Sequence, residues 1–342
     1  MSKRTISIIV AVGVVLALGF VLILRSTSSE TESAAPGSST TAPDTTSAVA
    51  PTTTEQTTTT TAQTNDGFPV TIDTPSGPVT IDKKPVRIVS ISPTSTEVLF
   101  ATGAANQVVA VDDQSNYPSE APTTDLSAFT PNVEAIAALD PDLVFLSFDP
   151  GDVIAGLEAI GIPAILHPPA STIDDAYSQW EQTGFATGNL AAAVALVSST
   201  TDSLRATVAG LPDGTDALSY YYELDPTFFS ATSSSFIGSL FARTGVANIA
   251  DDADPDGFGF PQLTAEYIIG SDPTLIYLAD TKCCGQDLDT VAARPGWNVM
   301  SAVELGNVIE LDDDIASRWG PRITELLEIV VASILDLETA DA

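Results

Sequence analysis

Two phrases of this sequence occur twice, in the same order, and that repetition restricts the chain to a fold made of two copies of one unit. The first pair is Leu99-Phe-Ala-Thr-Gly-Ala-Ala-Asn106 and Leu240-Phe-Ala-Arg-Thr-Gly-Val-Ala-Asn248, which differ by one inserted residue. The second is Glu134-Ala-Ile-Ala-Ala-Leu-Asp-Pro-Asp-Leu-Val-Phe-Leu146 and Glu266-Tyr-Ile-Ile-Gly-Ser-Asp-Pro-Thr-Leu-Ile-Tyr-Leu278, identical at six of thirteen positions. Helix-then-strand units often converge on an Asp-Pro stop. The preserved order of both phrases is what argues against coincidence.

The residues around the phrases alternate between strand and helix. Phe68–Ile72 and Val79–Ile81 read as short strands, and Arg87–Ser92 as a buried one. Thr94-Ser-Thr-Glu97 reads as a capping box ahead of a helix that Gly103 ends. Strands follow at Val108–Val111, Leu143–Ser147 and Pro163–Leu166, with helices at Pro131–Leu139 and Val153–Ile160. Between Ser171 and Gly210 one long helix is expected, Leu190–Val208. The alternation then resumes with strands at Ala217–Glu223, Leu275–Leu278 and Val308–Leu311, and helices at Phe236–Arg243, Thr264–Ile269 and Arg322–Leu335. The expected fold is α/β: two similar Rossmann-like lobes with mostly parallel sheets, at 67–186 and 211–342, joined by a long helix within 187–210. A ligand would sit between them, among loops at strand ends.

The N-terminus predicts where this unit resides. After Lys3 and Arg4, residues 5–24 form a charge-free, largely apolar run. Twenty residues in a helix span ~30 Å, the thickness of a hydrocarbon core. That is longer than a secretory h-region, so residues 1–25 read as an uncleaved signal anchor with the basic end inside. Cleavage further downstream is the alternative, and both readings put the folded part outside the cytoplasm. Residues 26–66 hold 22 Ser or Thr among 41 and no aromatic residue, the composition of a disordered stalk.

With 45 acidic against 12 basic residues, net charge -33, the chain is no candidate for nucleic acid or anionic lipid surfaces. Enzymatic chemistry finds no foothold either: there is one histidine, no nucleophile elbow and no metal-ligand spacing. That histidine, His167, is expected to be structural rather than a metal ligand. Glu134 and Glu266 begin equivalent helices, where a carboxylate complements the helix dipole or presents itself to an Arg on a partner. Gly257-Phe-Gly-Phe260 is a glycine-spaced aromatic loop without helical or strand period, so Phe258 and Phe260 offer apolar area to a ligand or pack beneath their own lobe. Arg318 and Arg322 would grip an anionic ligand or pair with Asp312–Asp314.

From about Pro85 to Leu335 the chain resembles the iron-chelate and vitamin B12 class of ABC-importer substrate-binding proteins. Arg87-Ile-Val-Ser-Ile-Ser-Pro-Thr-Ser-Thr-Glu97 resembles the opening of that family's first lobe, and Asp112-Asp-Gln-Ser-Asn-Tyr-Pro118, Pro131-Asn-Val-Glu134 and Leu139-Asp-Pro-Asp-Leu143 follow at similar spacing. The resemblance implies a class III solute-binding protein, monomeric and without cofactor, that carries a corrinoid or iron chelate. It also implies that Glu134 and Glu266 dock the lobes onto permease arginines. Gln114, Tyr117, Phe129, Phe228, Phe260 and the Asp314–Trp319 segment, Arg318 included, would lie near the ligand. A ferric siderophore or haem is the alternative cargo, and a stalked adhesin or sensor the alternative class. Gram-positive relatives are usually lipoproteins, yet no cysteine follows Leu24; the two cysteines, Cys283 and Cys284, are adjacent and expected either as a vicinal disulfide, as a reduced pair or as a soft-metal site.

Overall fold

The structure, a computed structural model, describes residues 67–340. The anchor expected at residues 5–24 and the stalk at 26–66 lie outside the described residues. Among those described, no helix is long and apolar enough to cross a membrane.

β1 (Val70–Thr74) and β2 (Gly77–Ile81) pair antiparallel, and their alternate residues Val70, Ile72, Val79 and Ile81 are buried. That is the two-residue period of a sheet with one covered face. The first α/β unit follows: β3 (Ile88–Ile91), α1 (Pro93–Ala101), β4 (Val108–Val111), α2 (Val133–Ala137), β5 (Leu143–Leu146), α3 (Val153–Ala159), β6 (Ala164–Leu166) and α4 (Ile173–Thr187). α5 (Leu190–Val208) leads to the second: β7 (Ser219–Glu223), α6 (Phe236–Phe241), β8 (Ala247–Asn248), α7 (Ala265–Ser271) and β9 (Leu275–Leu278). Three short helices, α8 (Thr281–Cys284), α9 (Leu288–Ala292) and α10 (Ser301–Leu305), precede β10 (Val308–Glu310), α11 (Asp313–Ser317) and α12 (Ile323–Ala340).

Both four-stranded sheets are parallel throughout, ordered β4-β3-β5-β6 and β8-β7-β9-β10. Counted within each lobe, the order is 2-1-3-4 both times. β3, β5 and β9 are buried at every position, as sheets covered on both faces require. The repeated phrases occupy equivalent places: α2 into β5, and α7 into β9. Asp140 and Asp272, the stop residues of those phrases, both take left-handed backbone, with φ 50° and 43°. Two residues later the equivalence continues. The Asp142 carboxylate accepts from Val86 N and Arg87 N at 2.9 Å, and Thr274 Oγ1 accepts from Ser219 N at 3.2 Å. Each bond ties the start of the lobe's first strand to the start of its third.

Two expectations need correcting. The region 171–210 holds two helices, with α4 in addition to the expected Leu190–Val208. Thr172 and Asp175 cap α4 reciprocally, a start signal present in the sequence. Gly188, with φ 70°, ends it, and Asn189 turns the chain into α5. The pair packs closely because Gly184 has no side chain; a Cβ there would lie 2.4 Å from that of Ala193. α4 also joins the lobes: Trp180 packs in the core with Tyr220 and Phe241, while Ala186 packs with Ile88 and Leu99. The second correction concerns Glu97, which belongs to no capping box. Ser92 caps α1 through Ser95 N, Pro93 takes the first position, and Glu97 is buried mid-helix.

Candidate functional site

The loops that follow each strand gather at the carboxyl ends of the two sheets, where the lobes meet. In the first lobe Asp112 shapes the loop after β4: its carboxylate accepts from Gln114 N at 2.8 Å and Ser115 Oγ at 2.7 Å. Burial raises the pKa of Asp112, against the pull of the Ser115 bond. The loop holds Gln114 and Tyr117 exposed. Phe129, 46% exposed, lies further along the same connection.

In the second lobe the aromatic loop is anchored from two sides. Asp254 accepts from Phe258 N at 2.9 Å and Gly259 N at 2.6 Å. Opposite, Ser230 N donates to Pro261 O and Thr232 N to Gly259 O, both at 2.9 Å. The result leaves Phe258 half-exposed and Phe260 packed against the core, 6.4 Å apart between ring centroids. Phe228 is half-buried, stacked on Trp297 at 5.6 Å, so much of its ring is committed to its own lobe.

Between these loops a polar junction ties the lobes together. Glu97 accepts from Arg318 Nη1 at 2.9 Å and from Arg322 Nη2 and Nε at 2.6 and 3.1 Å. Arg318 further donates to Asn116 Oδ1, to Gln114 O and to Asp314, which itself accepts from Asn116 Nδ2 at 2.9 Å. The side chains of Glu97, Arg318 and Arg322 are 2%, 9% and 12% exposed, so this is a desolvated network. The Arg322 guanidinium also lies 4.4 Å from the centre of the Tyr117 ring. Trp319 Nε1 donates to Gln179 Oε1, and Trp180 Nε1 donates to Trp319 O.

The expectation for Arg318 and Arg322 therefore resolves toward pairing, but with a partner 221 residues away as well as the neighbouring acid. Four hydrogen bonds to protein groups occupy the Arg318 guanidinium, which leaves little of it for an anionic ligand. Sequence reasoning missed Glu97, Gln179 and Trp180; a lone acid in the middle of an otherwise uncharged helix was the available signal for the first. Cys283 and Cys284 stand as free cysteines, the first exposed and the second half-buried. They sit in the single turn α8, where successive side chains diverge by about 100°.

Glu134 and Glu266 are both exposed, in the first turns of α2 and α7. Asn132 and Thr264 side chains do the capping, by accepting from Ala135 N and Tyr267 N. Neither glutamate carboxylate has a hydrogen-bond or ion-pair partner among the described residues. His167 is buried, bonded to Gln182 Oε1 at 3.2 Å, and burial pushes its pKa down to about 4. No group of three or more His, Cys, Asp or Glu among the described residues is arranged to hold a metal ion. A cavity of about 470 Å3 opens beside β2 and the Gly161–Pro163 loop, away from the junction of the lobes.

Beneath the second lobe's loops lies a buried acid pair. Glu223 ends β7 and is gripped bidentately by Arg294, which stacks 4.5 Å from Trp297. Asp280, just past β9, is fully buried, with no hydrogen-bond partner on either oxygen. Burial and then the Glu223 charge push its pKa up to about 8, against Arg294, while Asp313 adds to the rise. The folded protein thus retains a proton that the unfolded chain releases above about pH 4. Stability contributed by this site falls as pH rises from about 4 to 8 and levels off above. Asp280→Asn is expected to remove a loss on the order of 4 kcal/mol between pH 5 and 8, read from urea unfolding at both pH values. An unchanged pH dependence would show that Asp280 is ionised throughout.

Comparison with known proteins agrees with this architecture. Residues 88–315 match the family described as periplasmic binding protein. An uncharacterised ABC transporter substrate-binding lipoprotein, YvrC, of Bacillus subtilis is 30% identical over 282 residues, covering 80% of this chain and 87% of that protein. A cobalamin-binding protein of Halobacterium salinarum is 31% identical over 273 residues, covering 75% and 72%. Among solved structures, a possible iron-binding (periplasmic solute-binding) protein from Staphylococcus epidermidis superimposes with TM-score 0.65 at 24% identity, covering 74% of this chain and 99% of that one. The vitamin B12 binding protein BtuF of Vibrio cholerae does so with TM-score 0.58 at 23% identity, covering 75% and 98%. With two lobes of one topology, an aromatic and polar junction between them, and a family match over most of the folded residues, the chain belongs to the periplasmic binding protein family.

Proposed function

We propose that this protein is the extracytoplasmic substrate-binding component of an ABC importer and that its cargo is a corrinoid. The observation that carries the importer part is the pair Glu134 and Glu266: equivalent, exposed, unpartnered carboxylates, one on each lobe. A carboxylate kept free of partners is suited to charge-assisted bonds with arginines of a membrane partner. The corrinoid part is supported by relatives named for cobalamin or vitamin B12 and by the residues at the rim. Tyr117, Phe129 and Phe258 offer aromatic area, with Phe260 packed beneath and Gln114 adding an amide, and few cations are free, which suits a large, nearly neutral ligand. Asp314, Arg318 and Trp319 brace that rim. Phe228 supports it from below.

The test is a thermal-shift panel on the full-length chain against cobalamin, cobinamide, haem and ferric siderophores. A ligand at a hundredfold its dissociation constant adds ~2.7 kcal/mol. A shift with a corrinoid alone is expected; a shift confined to haem or a siderophore would overturn the cargo assignment. Phe258→Ala, at a half-exposed position, is expected to weaken corrinoid binding about tenfold with no loss of stability. Equal affinity in titration calorimetry would remove the aromatic loop from the site.

A further inference from the structure

The Tyr117 ring stands at the rim, 45% exposed, and its hydroxyl makes no hydrogen bond to any described residue. A cation from the other lobe lies against it instead. The Arg322 guanidinium carbon is 4.4 Å from the ring centre. Arg322 directly precedes α12, and Glu97 of α1 holds its guanidinium by two bonds, from Nη2 at 2.6 Å and Nε at 3.1 Å. Both side chains of that pair are nearly sealed from water. The loop that carries the ring is fixed separately. Arg318 donates to Gln114 O at 3.0 Å and to Asn116 Oδ1 at 3.1 Å, and Asp314 accepts from Asn116 Nδ2 at 2.9 Å. One segment of the second lobe, Asp314 to Arg322, therefore sets both the loop and the ring of the first.

The second lobe repeats the arrangement within itself. Glu223, buried at the end of β7, grips Arg294, and the Arg294 guanidinium carbon is 5.6 Å from the centre of the Phe228 ring. On each lobe an aromatic ring is backed by an arginine that a buried glutamate keeps in place. An arginine held in this way acts as a fixed surface rather than a mobile side chain. A cation on one face draws the ring's π-electrons toward it, so the remaining surface suits an apolar or π-bearing ligand and not a second cation. A rim side chain that must be ordered on binding costs affinity, and one ordered beforehand does not.

We propose that Arg322 is a positioning residue of the cargo site: pinned by Glu97, it holds the Tyr117 ring in its binding orientation from across the lobe boundary. This rests on the corrinoid reading above and adds to it a residue that acts through Tyr117 without touching cargo. Because the ring belongs to one lobe and its support to the other, cargo affinity depends on the relative placement of the lobes.

The experiment is a double-mutant cycle on the full-length chain, with cobalamin affinity read by titration calorimetry and folding checked by melting. Arg322→Met removes the cation and leaves Glu97 paired with Arg318; it is expected to weaken cobalamin binding about tenfold. Arg322→Lys keeps a cation and a bond to Glu97 but not the planar fork, and is expected to lose about threefold. In a Tyr117→Ala background both losses should shrink to within 1.5-fold of none, on the order expected when one residue acts only through another. A purely structural role for Arg322 would give the same loss in both backgrounds, and that result would overturn the proposal. So would unchanged affinity in Arg322→Met. Should Arg322→Met fail to fold, the Arg322→Lys cycle decides alone by the same criterion. Failure of the wild type to bind cobalamin would overturn the cargo reading, and this inference with it.

Discussion

Glu97→Ala is expected to destabilise the protein by about 3–5 kcal/mol, because it leaves two buried guanidinium groups without their shared counter-ion. Glu97 is the one acid that both Arg318 and Arg322 reach from the other lobe, and all three side chains are nearly sealed from water. Nothing else near Arg322 Nε and Nη2 accepts these bonds. The burial of Glu97 also leaves no room at Gly320, where a Cβ would lie 2.9 Å from Glu97 Oε2. For a folded unit of this size, each kcal/mol shifts the melting temperature by roughly 2–4 °C, so a fall of about 10 °C is expected by calorimetry. Glu97→Gln keeps the shape and one acceptor, and should cost less than half as much. If both variants melt within 2 °C of wild type, water reaches the junction and the network is no brace.

The second large effect concerns transport rather than stability. Glu134→Ala with Glu266→Ala is expected to leave corrinoid affinity within twofold while it abolishes delivery to the permease. Neither carboxylate makes a bond within the described residues, so removal costs the fold little beyond the helix-dipole contribution of ~0.3–1 kcal/mol. Against a partner the same groups can each supply a charged hydrogen bond of about 1.5–3 kcal/mol. Loss of both weakens docking by about 3 kcal/mol or more, over a hundredfold in dissociation constant. Uptake of labelled cobalamin by cells carrying the double variant measures it. Normal uptake would move the docking surface elsewhere; lost uptake with lost ligand binding would indicate a damaged site.

The two predictions divide along the same line as the information in the chain. Local rules carry strand and helix positions well here because buried parallel strands are short apolar runs with clear stops. Val108–Val111, Leu190–Val208 and Leu275–Leu278 needed nothing else. The repeat carried the architecture, since a phrase that ends a helix at Asp-Pro and starts a strand does so identically at Asp140 and Asp272. It also made Glu134 and Glu266 equivalent before any coordinates. α4 was missed because its apolar positions are sparse, although its Thr172–Asp175 cap stood in plain view.

Other features had no local signature. Glu97 satisfies the spacing of a capping box, and only its burial against residues more than 200 positions away separates the two roles. The same holds for Asp280, an ordinary acid after a strand until Glu223 and complete burial raise its pKa. Cys283 and Cys284 read equally well as a vicinal disulfide, a reduced pair or a soft-metal site, and adjacency along the chain does not choose among them. Sequence by itself determined the two-lobed, mostly parallel α/β class, the likeness of the two lobes and the equivalence of Glu134 and Glu266, because these follow from periodicity and repetition along the chain. Tertiary structure alone decided which charges are buried, which are paired and which stay free, because desolvation and Coulomb interaction depend on distance in space rather than along the chain.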